Sequence, residues 1–299
     1  MKLHNLRDFV MVAKSGGIRA AARQLNLSQP ALSKSISQLE DELGTPLFER
    51  SVRGSTLNSF GERFLVRAEA AMQELTRGRE EIGQLRGSTG GSVSFAASSV
   101  VALSFLTKVM SRFRRRFPDA RVQVHEGTYA VMLRGLRERS LDFAVGPVPG
   151  MQISDDLIIE HLFDNDRCVI GRRDHPLLGA GNLGALAQAE WVTTSAVGPQ
   201  DDEFRDIFAQ HGLDAPISLT RCESLLALIA LLAGTDALAF LPRQWADSNV
   251  TRPILSEIPI IEKIAGPTTC LMRPSGMPLT PAAQALADAI RASAANIEN

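Results

Sequence analysis

Residues 28–50 read SQPALSKSISQLEDELGTPLFER, and this stretch decides the fold of the first part of the chain. Its apolar residues recur at i, i+4, i+7 and i+11, the spacing of one buried helix stripe. These residues are Leu32, Ile36, Leu39 and Leu43. Ser28 is a good N-cap, and Pro30 falls in the first turn, where its missing N–H is not needed. The spacing predicts a helix that ends at about Leu43.

The opposite face of this helix carries short hydroxyls, one amide and one lysine. Asp41 also lies on this face. We name as the recognition face its predicted DNA-binding residues with the cap: Ser28, Gln29, Pro30, Ser33, Lys34 and Ser37. In a DNA major groove about 12 Å wide, Gln bonds adenine, Ser donates or accepts, and Lys reaches guanine or phosphate. The positive end of the helix also favours phosphate. The pattern predicts a DNA-reading helix, and the alternative is a solvated polar face on a small helical domain.

The residues on either side complete a winged helix-turn-helix. Apolar residues at helical spacing run from Leu3 to Ala13, a second helix is predicted over 18–25, and residues 26–28 form the turn. Residues 49–56, ERSVRGST, are interpreted as a two-stranded wing in which Arg50 and Arg53 contact phosphate. Through residue 58, eight Lys and Arg residues against five Asp and Glu residues leave about +3, whereas the whole chain carries −1.

A long helix is predicted over 59–86, with Asn58-Ser59 as its cap and Glu62 reaching back to Ser59. Counting Gly78, small and apolar residues along it are spaced alternately by four and three, a 3.5-residue period that favours packing against a partner helix. We name the apolar members the linker stripe, which comprises Phe64, Ala68, Ala71, Leu75, Ile82 and Leu85. The alternative is a helix packed on its own domain.

Residues 87–91, GSTGG, have the composition of a flexible linker. Beyond them strands and helices alternate. Strands are predicted at 93–97, 122–125, 143–145, 168–170, 191–194 and 237–241, and helices at 103–117, 130–138, 200–210, 224–232 and 281–294. Such alternation predicts α/β units with mostly parallel sheets. About 200 residues suit two such lobes better than one.

Composition and motifs exclude several classes of protein. With 44% hydrophobic and 22% charged residues, the 299-residue chain has an ordinary globular composition. Cys168, Cys222 and Cys270 are dispersed, which argues against a disulfide framework or a structural zinc site, so neither metal nor cofactor is expected. The N-terminus lacks a signal-peptide core, and the longest apolar run, 225–233, is too short to span a bilayer. We therefore expect a cytoplasmic protein. The five histidines and the glycines form no metal or catalytic motif, so no enzyme is predicted.

A pattern of specific residues spans roughly the first 60 positions. It comprises Phe9, Ala21-Ala22, Ser28-Gln29-Pro30, Leu39-Glu40, Gly44, Leu47-Phe48-x-Arg50 and Leu57 to Gly61. This pattern resembles the N-terminal domain of the LysR-type transcriptional regulators. That family usually has Gly-Ser at Gly16-Gly17 and Thr at Asn58, and both differences keep the role of turn and cap. The segments 172–177 and 232–242 are similar to the family more loosely.

The resemblance implies an α+β multi-domain protein with five parts. These are a winged helix-turn-helix over 1–58, a dimerisation helix over 59–86, a flexible linker over 87–91, lobe I over 92–161 plus 267–299, and lobe II over 162–266. The two Rossmann-like lobes would form an effector domain of the periplasmic-binding-protein type. The implied partners are double-stranded DNA with an interrupted dyad, a second copy of the chain in a homodimer or homotetramer, RNA polymerase, and a small-molecule effector rather than a cofactor.

An effector is expected beyond the carboxyl ends of the strands, as in other open α/β sheets. Hydroxyls and helix N–H groups there suit an anionic head. We name this set the effector edge, and it comprises Ser98, Ser99, Val100, Gly127, Thr128, Pro147, Val197, Gly198 and Pro199. The resemblance matches Ser98, Ser99 and Thr128 to the family's effector positions and suggests an aromatic anion. The alternatives are that the serines only cap a helix, or that the protein is a solute-binding protein, which would have no use for residues 1–86.

Overall fold

The computed structural model describes residues 1–51, 54–149, 155–193, 200–216, 219–222 and 224–297. An N-terminal domain is followed by one long helix and then by two α/β lobes. Within the described ranges, none of the helices combines the length and the apolar composition needed to cross a membrane.

The N-terminal domain packs three helices and a hairpin around one core. Its elements are α1 Leu3–Lys14, α2 Ile18–Leu25, α3 Gln29–Leu43, β1 Phe48–Ser51 and β2 Gly54–Leu57. The ring of Phe9 lies 5.5 Å from that of Phe48 and 5.3 Å from that of Phe64, between centroids. The predicted α3 stripe is buried except for Leu43, which is exposed in the last turn before Gly44 ends the helix in the left-handed conformation.

The long helix α4 runs over Ser59–Leu85, about 40 Å at 1.5 Å per residue. Its N-cap is Asn58, whose Oδ1 accepts a hydrogen bond from the Gly61 N–H at 2.9 Å. The Asn58 part of the predicted Asn58-Ser59 cap is therefore confirmed, whereas Ser59 is already the first residue of the helix. The helix itself begins and ends within one residue of the prediction.

Lobe I contains a five-stranded sheet in the order β4-β3-β5-β12-β6. Its strands are β3 Ser92–Ala97, β4 Arg121–Glu126, β5 Phe143–Pro147, β6 Leu157–Phe163 and β12 Thr269–Pro274. Its helices are α5 Ser99–Ser104, α6 Leu106–Arg116, α7 Tyr129–Arg137 and α11 Pro281–Ala294. β3 is parallel to β4 and β5, whereas β12 is antiparallel to β5 and β6. The helix predicted over 103–117 is in fact two helices, because Phe105 leaves the helical region at φ −148°.

Lobe II contains a three-stranded sheet β10-β7-β11 and a two-stranded sheet β8-β9. Its elements are β7 Arg167–Arg172, a 3₁₀ turn Leu183–Leu186, β8 Trp191–Thr193, α8 Gln200–Gln210, β9 Leu219–Arg221, α9 Leu225–Gly234, β10 Ala239–Pro242, α10 Gln244–Asp247 and β11 Leu255–Ile258. β7 pairs antiparallel with both of its neighbours, so the prediction of mostly parallel sheets is wrong here. Alternation of strands and helices indicates parallel pairing only where consecutive strands are neighbours in the sheet. The strand β7 instead pairs with β10 and β11, which come later in the chain.

Candidate DNA-binding surface and effector edge

The start of α3 is built as its sequence predicts. The Ser28 Oγ accepts a hydrogen bond from the Ala31 N–H at 3.3 Å, which satisfies one free N–H of the first turn. Because the leucine and isoleucine stripe of α3 is buried, the recognition face points away from the core. Ser33 is half-buried, and the other members, Ser28, Gln29, Pro30, Lys34 and Ser37, are exposed.

A shallow groove separates α3 from the wing. It is lined by Ile18, Ser33, Ile36, Ser37, Glu40, Pro46, Phe48 and Ser55. The Glu40 Oε1 accepts hydrogen bonds from the N–H groups of Leu47 at 2.7 Å and Phe48 at 3.3 Å. Glu40 therefore positions the start of the wing against α3. The sequence identified Glu40 only as part of the family pattern and did not predict this role.

The segment before the wing is also fastened to α4. The Asn58 Nδ2 donates to the Pro46 carbonyl at 2.8 Å, while the other side-chain atom of Asn58 caps α4. A Cβ at Gly61 would lie 2.1 Å from the Leu47 carbonyl oxygen, so only glycine allows this approach. The side chains of Glu40 and Asn58, which bond to backbone groups, and the close backbone approach at Gly61 thus fix α3, the wing and α4 relative to one another.

Two predicted phosphate contacts lie on the wing. The backbone of Arg50 pairs with Ser55 in the hairpin, which matches the predicted wing. The side chain of Arg50 and the whole of Arg53 lie outside the part of the chain that the structure describes.

The linker stripe divides into two parts. Phe64 and Ala68 pack in the core of the N-terminal domain, where Ala68 is buried within a single chain. For these two residues the packing on their own domain replaces the predicted contact with a partner helix, because α4 runs beside α1 here. The remaining members, Ala71, Leu75, Ile82 and Leu85, are exposed, the last three at 54, 59 and 69%.

The effector edge is assembled by three adjacent strands. β3 lies between β4 and β5 and is parallel to both, so the carboxyl ends of the three strands bring Ser98, Gly127 and Pro147 to the same edge of the sheet. A Cβ at Gly146 would lie 3.3 Å from the Cβ of Ser98 and 2.9 Å from the Cε of Met132. The predicted members of lobe II, Val197, Gly198 and Pro199, lie outside the described residues.

The hydroxyl of Ser98 is the chemically distinctive group of this edge. Ser98 occupies the N-cap position of α5 and is 7% exposed, yet its side chain makes no cap hydrogen bond. Among the described residues, its Oγ has no hydrogen-bond partner. A buried hydroxyl without a partner costs about 1–3 kcal/mol. The alternative that the Ser98 side chain only caps α5 is therefore wrong, because that side chain makes no cap hydrogen bond.

The other predicted members of the effector edge differ in their exposure. Ser99 is half-buried in the first turn of α5, and Val100 is buried. Thr128 is exposed at the N-cap position of α7, where its side chain makes no cap hydrogen bond either. The edge thus combines hydroxyls and helix N-termini with the apolar side chains of Val100 and Met132.

Both parts of the chain match known protein families. Residues 3–62 match the family model described as bacterial regulatory helix-turn-helix protein, lysR family, and residues 86–295 match the model of the LysR substrate binding domain. The transcriptional regulator TdcA of Escherichia coli K12 is 27% identical over 269 residues, which cover 88% of this chain and 86% of TdcA. The regulator PcaQ of Agrobacterium fabrum C58 is 30% identical over 304 residues, which cover 99% and 96%.

Solved structures share the fold over the whole chain. The crystal structure of CbnR, a LysR family transcriptional regulator, has a TM-score of 0.71 at 22% identity and covers 98% of this chain and 99% of its own. Full-length CbnR complexed with its target DNA has a TM-score of 0.72 at 21% identity and covers 98% and 100%. The relatives named here are regulators and not enzymes. Since one model covers the helix-turn-helix and the other covers more than half of the chain, the protein belongs to the LysR family of DNA-binding transcriptional regulators, with a C-terminal substrate-binding domain.

Proposed function

We propose that this regulator is switched by a small organic anion that binds at the effector edge, between the two lobes. The observation that carries the proposal is the Ser98 hydroxyl, which is nine-tenths buried and has no hydrogen-bond partner among the described residues. A ligand oxygen would supply the missing hydrogen bond. The edge lies beyond the carboxyl ends of β3, β4 and β5, where ligands of open α/β sheets bind.

The surroundings of Ser98 favour an anion with an apolar body. The hydroxyls of Ser99 and Thr128 and the N–H groups at the start of α7 are donors suited to a carboxylate or sulfonate. Val100 directly follows Ser99 in α5, and the side chain of Met132 packs against Gly146, so apolar side chains stand behind these donors. An aromatic carboxylate or sulfonate combines both properties.

The proposal assigns DNA reading to the recognition face and phosphate contacts to Arg50 and Arg53 on the wing. The exposure of Gln29, Lys34 and Ser37 supports it, as does the likeness to a CbnR structure solved with target DNA. Two copies joined through the exposed part of the linker stripe would present two such faces to an interrupted dyad. The same proposal places the protein in the cytoplasm, with RNA polymerase as the partner that responds.

The ligand half of the proposal is tested by thermal shift with a panel of aromatic carboxylates and sulfonates. We expect at least one compound to raise the unfolding temperature of the wild type, and Ser98→Ala and Ser99→Ala to reduce that shift. Ser111→Ala, an exposed serine on α6, is the matched control and should keep it. A panel without any shift, or an unchanged shift in Ser98→Ala, would overturn this half.

The DNA half is tested by a gel shift with the DNA upstream of the protein's own gene. We expect binding that weakens with salt and exceeds binding to random DNA. Ser33→Glu places a negative charge beside the groove between α3 and the wing, and it should abolish binding while the fold is retained. Equal affinity for random DNA would contradict specific regulation, and the absence of any DNA binding would favour the solute-binding alternative.

A further inference from the structure

The C-terminal half of α4 has a polar face, opposite the linker stripe. At about 100° per residue, Arg77, Glu80 and Gln84 lie roughly 140–200° around the helix from Leu75. Each of these three side chains contacts lobe I. One helix therefore offers its apolar stripe outward and its polar face to its own effector domain.

The central contact is an ion pair between Arg77 and Asp142. The Nε of Arg77 lies 2.7 Å from the Oδ1 of Asp142, and Nη1 lies 2.6 Å from the Glu74 Oε1 in the same helix. The Asp142 Oδ2 accepts a hydrogen bond from the Ser94 N–H at 2.7 Å, and the Asp142 N–H donates to the Ser94 carbonyl at 2.7 Å. The Asp142 carboxylate thus links α4 to the interior of β3, and Asp142 itself directly precedes β5.

Two further side chains fasten the same face. The Glu80 carboxylate accepts hydrogen bonds from the Ser92 N–H and hydroxyl, each at 3.0 Å from Oε2. The Gln84 Nε2 donates to the Gly90 carbonyl at 2.9 Å, and its Oε1 accepts from the Ala282 N–H in the first turn of α11, also at 2.9 Å. One face of residues 77–85 is therefore bound to lobe I through these three side chains.

The segment predicted as a flexible linker is held as well. The Thr89 hydroxyl donates to the Asp119 Oδ2 at 2.5 Å, and Gly90 is bonded to Gln84. A Cβ at Gly91 would lie 2.3 Å from the Gln84 Nε2. The glycines of 87–91 allow a tight reversal of the chain against α4, so composition alone misjudges this segment as a free joint.

The strands held by Asp142 are the strands that end at the effector edge. Ser94 lies on β3, and Ser98 directly follows the end of that strand, four residues or about 13 Å further on at 3.3 Å per residue. β5 starts directly after Asp142 and ends at Gly146 and Pro147. We propose that Asp142 is a positioning residue that couples the effector edge to α4, because its carboxylate would pass a displacement of β3 and β5 to Arg77. This inference rests on the proposed function, because it takes the effector edge as the place where a bound ligand would move the strands of lobe I.

The experiment uses hydrogen exchange with mass spectrometry on the full chain, without ligand. Gly146→Ala crowds the edge, since its Cβ would lie 3.3 Å from the Ser98 Cβ and 2.9 Å from the Cε of the fully buried Met132. We expect this change to speed the exchange of amides in 77–85 at least about tenfold. In an Asp142→Asn background, the added effect of Gly146→Ala on 77–85 should disappear. Arg137→Met, which removes an exposed ion pair of the same lobe, is the matched control and should leave the added effect intact.

An equal response to Gly146→Ala in the wild type and in Asp142→Asn would overturn the coupling, and so would the absence of any response at 77–85 in the wild type. If Asp142→Asn does not fold, Arg77→Met gives the same test and leaves the residues of lobe I unchanged. Because no ligand is used, a failed ligand panel would overturn the proposed effector but would not decide the coupling.

Discussion

The guanidinium of Arg77 in α4 lies 2.7 Å from the carboxylate of Asp142 in lobe I, and the two side chains are only 12% and 7% exposed. Burial raises the pKa of the Asp142 carboxyl, and Arg77 offsets part of that rise. A buried ion pair leaves an uncompensated charge when either partner is removed. The pair therefore makes the joint between helix and lobe sensitive to single substitutions.

Arg77→Met should destabilise the effector domain by about 3 kcal/mol or more at neutral pH, because it leaves the Asp142 charge buried and unpaired. Since the folded-state pKa of Asp142 is already raised, protonation of Asp142 stabilises the fold at low pH, and that contribution is lost as pH rises through this pKa. The variant raises the pKa further, so its deficit should shrink on acidification. Thermal unfolding at about pH 8 and about pH 5, both above the ordinary aspartate pKa of about 3.9, measures this.

The control for that measurement is Arg137→Met. Arg137 pairs with Asp156 at 2.7 Å, but both side chains are about half exposed to solvent. An exposed pair is screened by water, so we expect no change in the unfolding temperature at either pH. A deficit of Arg77→Met that is equal at both pH values would contradict the role assigned to Asp142.

Gly61→Ala should destabilise the N-terminal domain by about 2–3 kcal/mol and weaken DNA binding, because its Cβ would lie 2.1 Å from the Leu47 carbonyl oxygen. Gly78→Ala is the matched substitution in the same helix, at an exposed position where a Cβ would meet no atom within 4 Å. It should stabilise α4 by about 1 kcal/mol. Thermal denaturation of both variants measures the contrast, and similar effects of the two would refute it.

Lys34→Ala should weaken DNA binding at low salt and reduce the slope of log affinity against log salt by about 1, if Lys34 neutralises one phosphate. Lys108→Ala removes an exposed lysine from α6 in lobe I and should leave the slope unchanged. Fluorescence anisotropy over a series of salt concentrations measures both slopes. Equal slopes for Lys34→Ala and the wild type would show that Lys34 does not neutralise a DNA phosphate.

Leu75→Glu combined with Ile82→Glu should weaken self-association at least about tenfold, because it places two charges in the exposed part of the linker stripe. Val250→Glu, on the exposed surface of lobe II, is the control and should not change the molar mass. Light scattering over a dilution series measures the assembly. An unchanged molar mass in the double variant would show that the stripe does not join two copies.

Local patterns predicted the N-terminal domain well because its contacts are close in sequence. The Ser28 cap, the buried Leu32, Ile36 and Leu39, the hairpin and the length of α4 all follow from spacing of a few residues. Phe64 and Ala68 were misjudged, because spacing cannot show which surface covers an apolar stripe. In lobe II, β9 and β11 carried no recognised pattern, and their pairing partners come from distant parts of the chain.

The sequence by itself determined the family, through the residue pattern of roughly its first 60 positions. It also determined helix α3 and the strand ends at the effector edge, because helix caps, periodic stripes and strand–helix alternation act within short stretches. Only the tertiary structure decided that the Ser98 hydroxyl lacks a partner among the described residues, and that Arg77 meets Asp142 across 65 positions of the chain. Burial and pairing of polar groups depend on which distant segments pack together, and neither spacing nor composition records that.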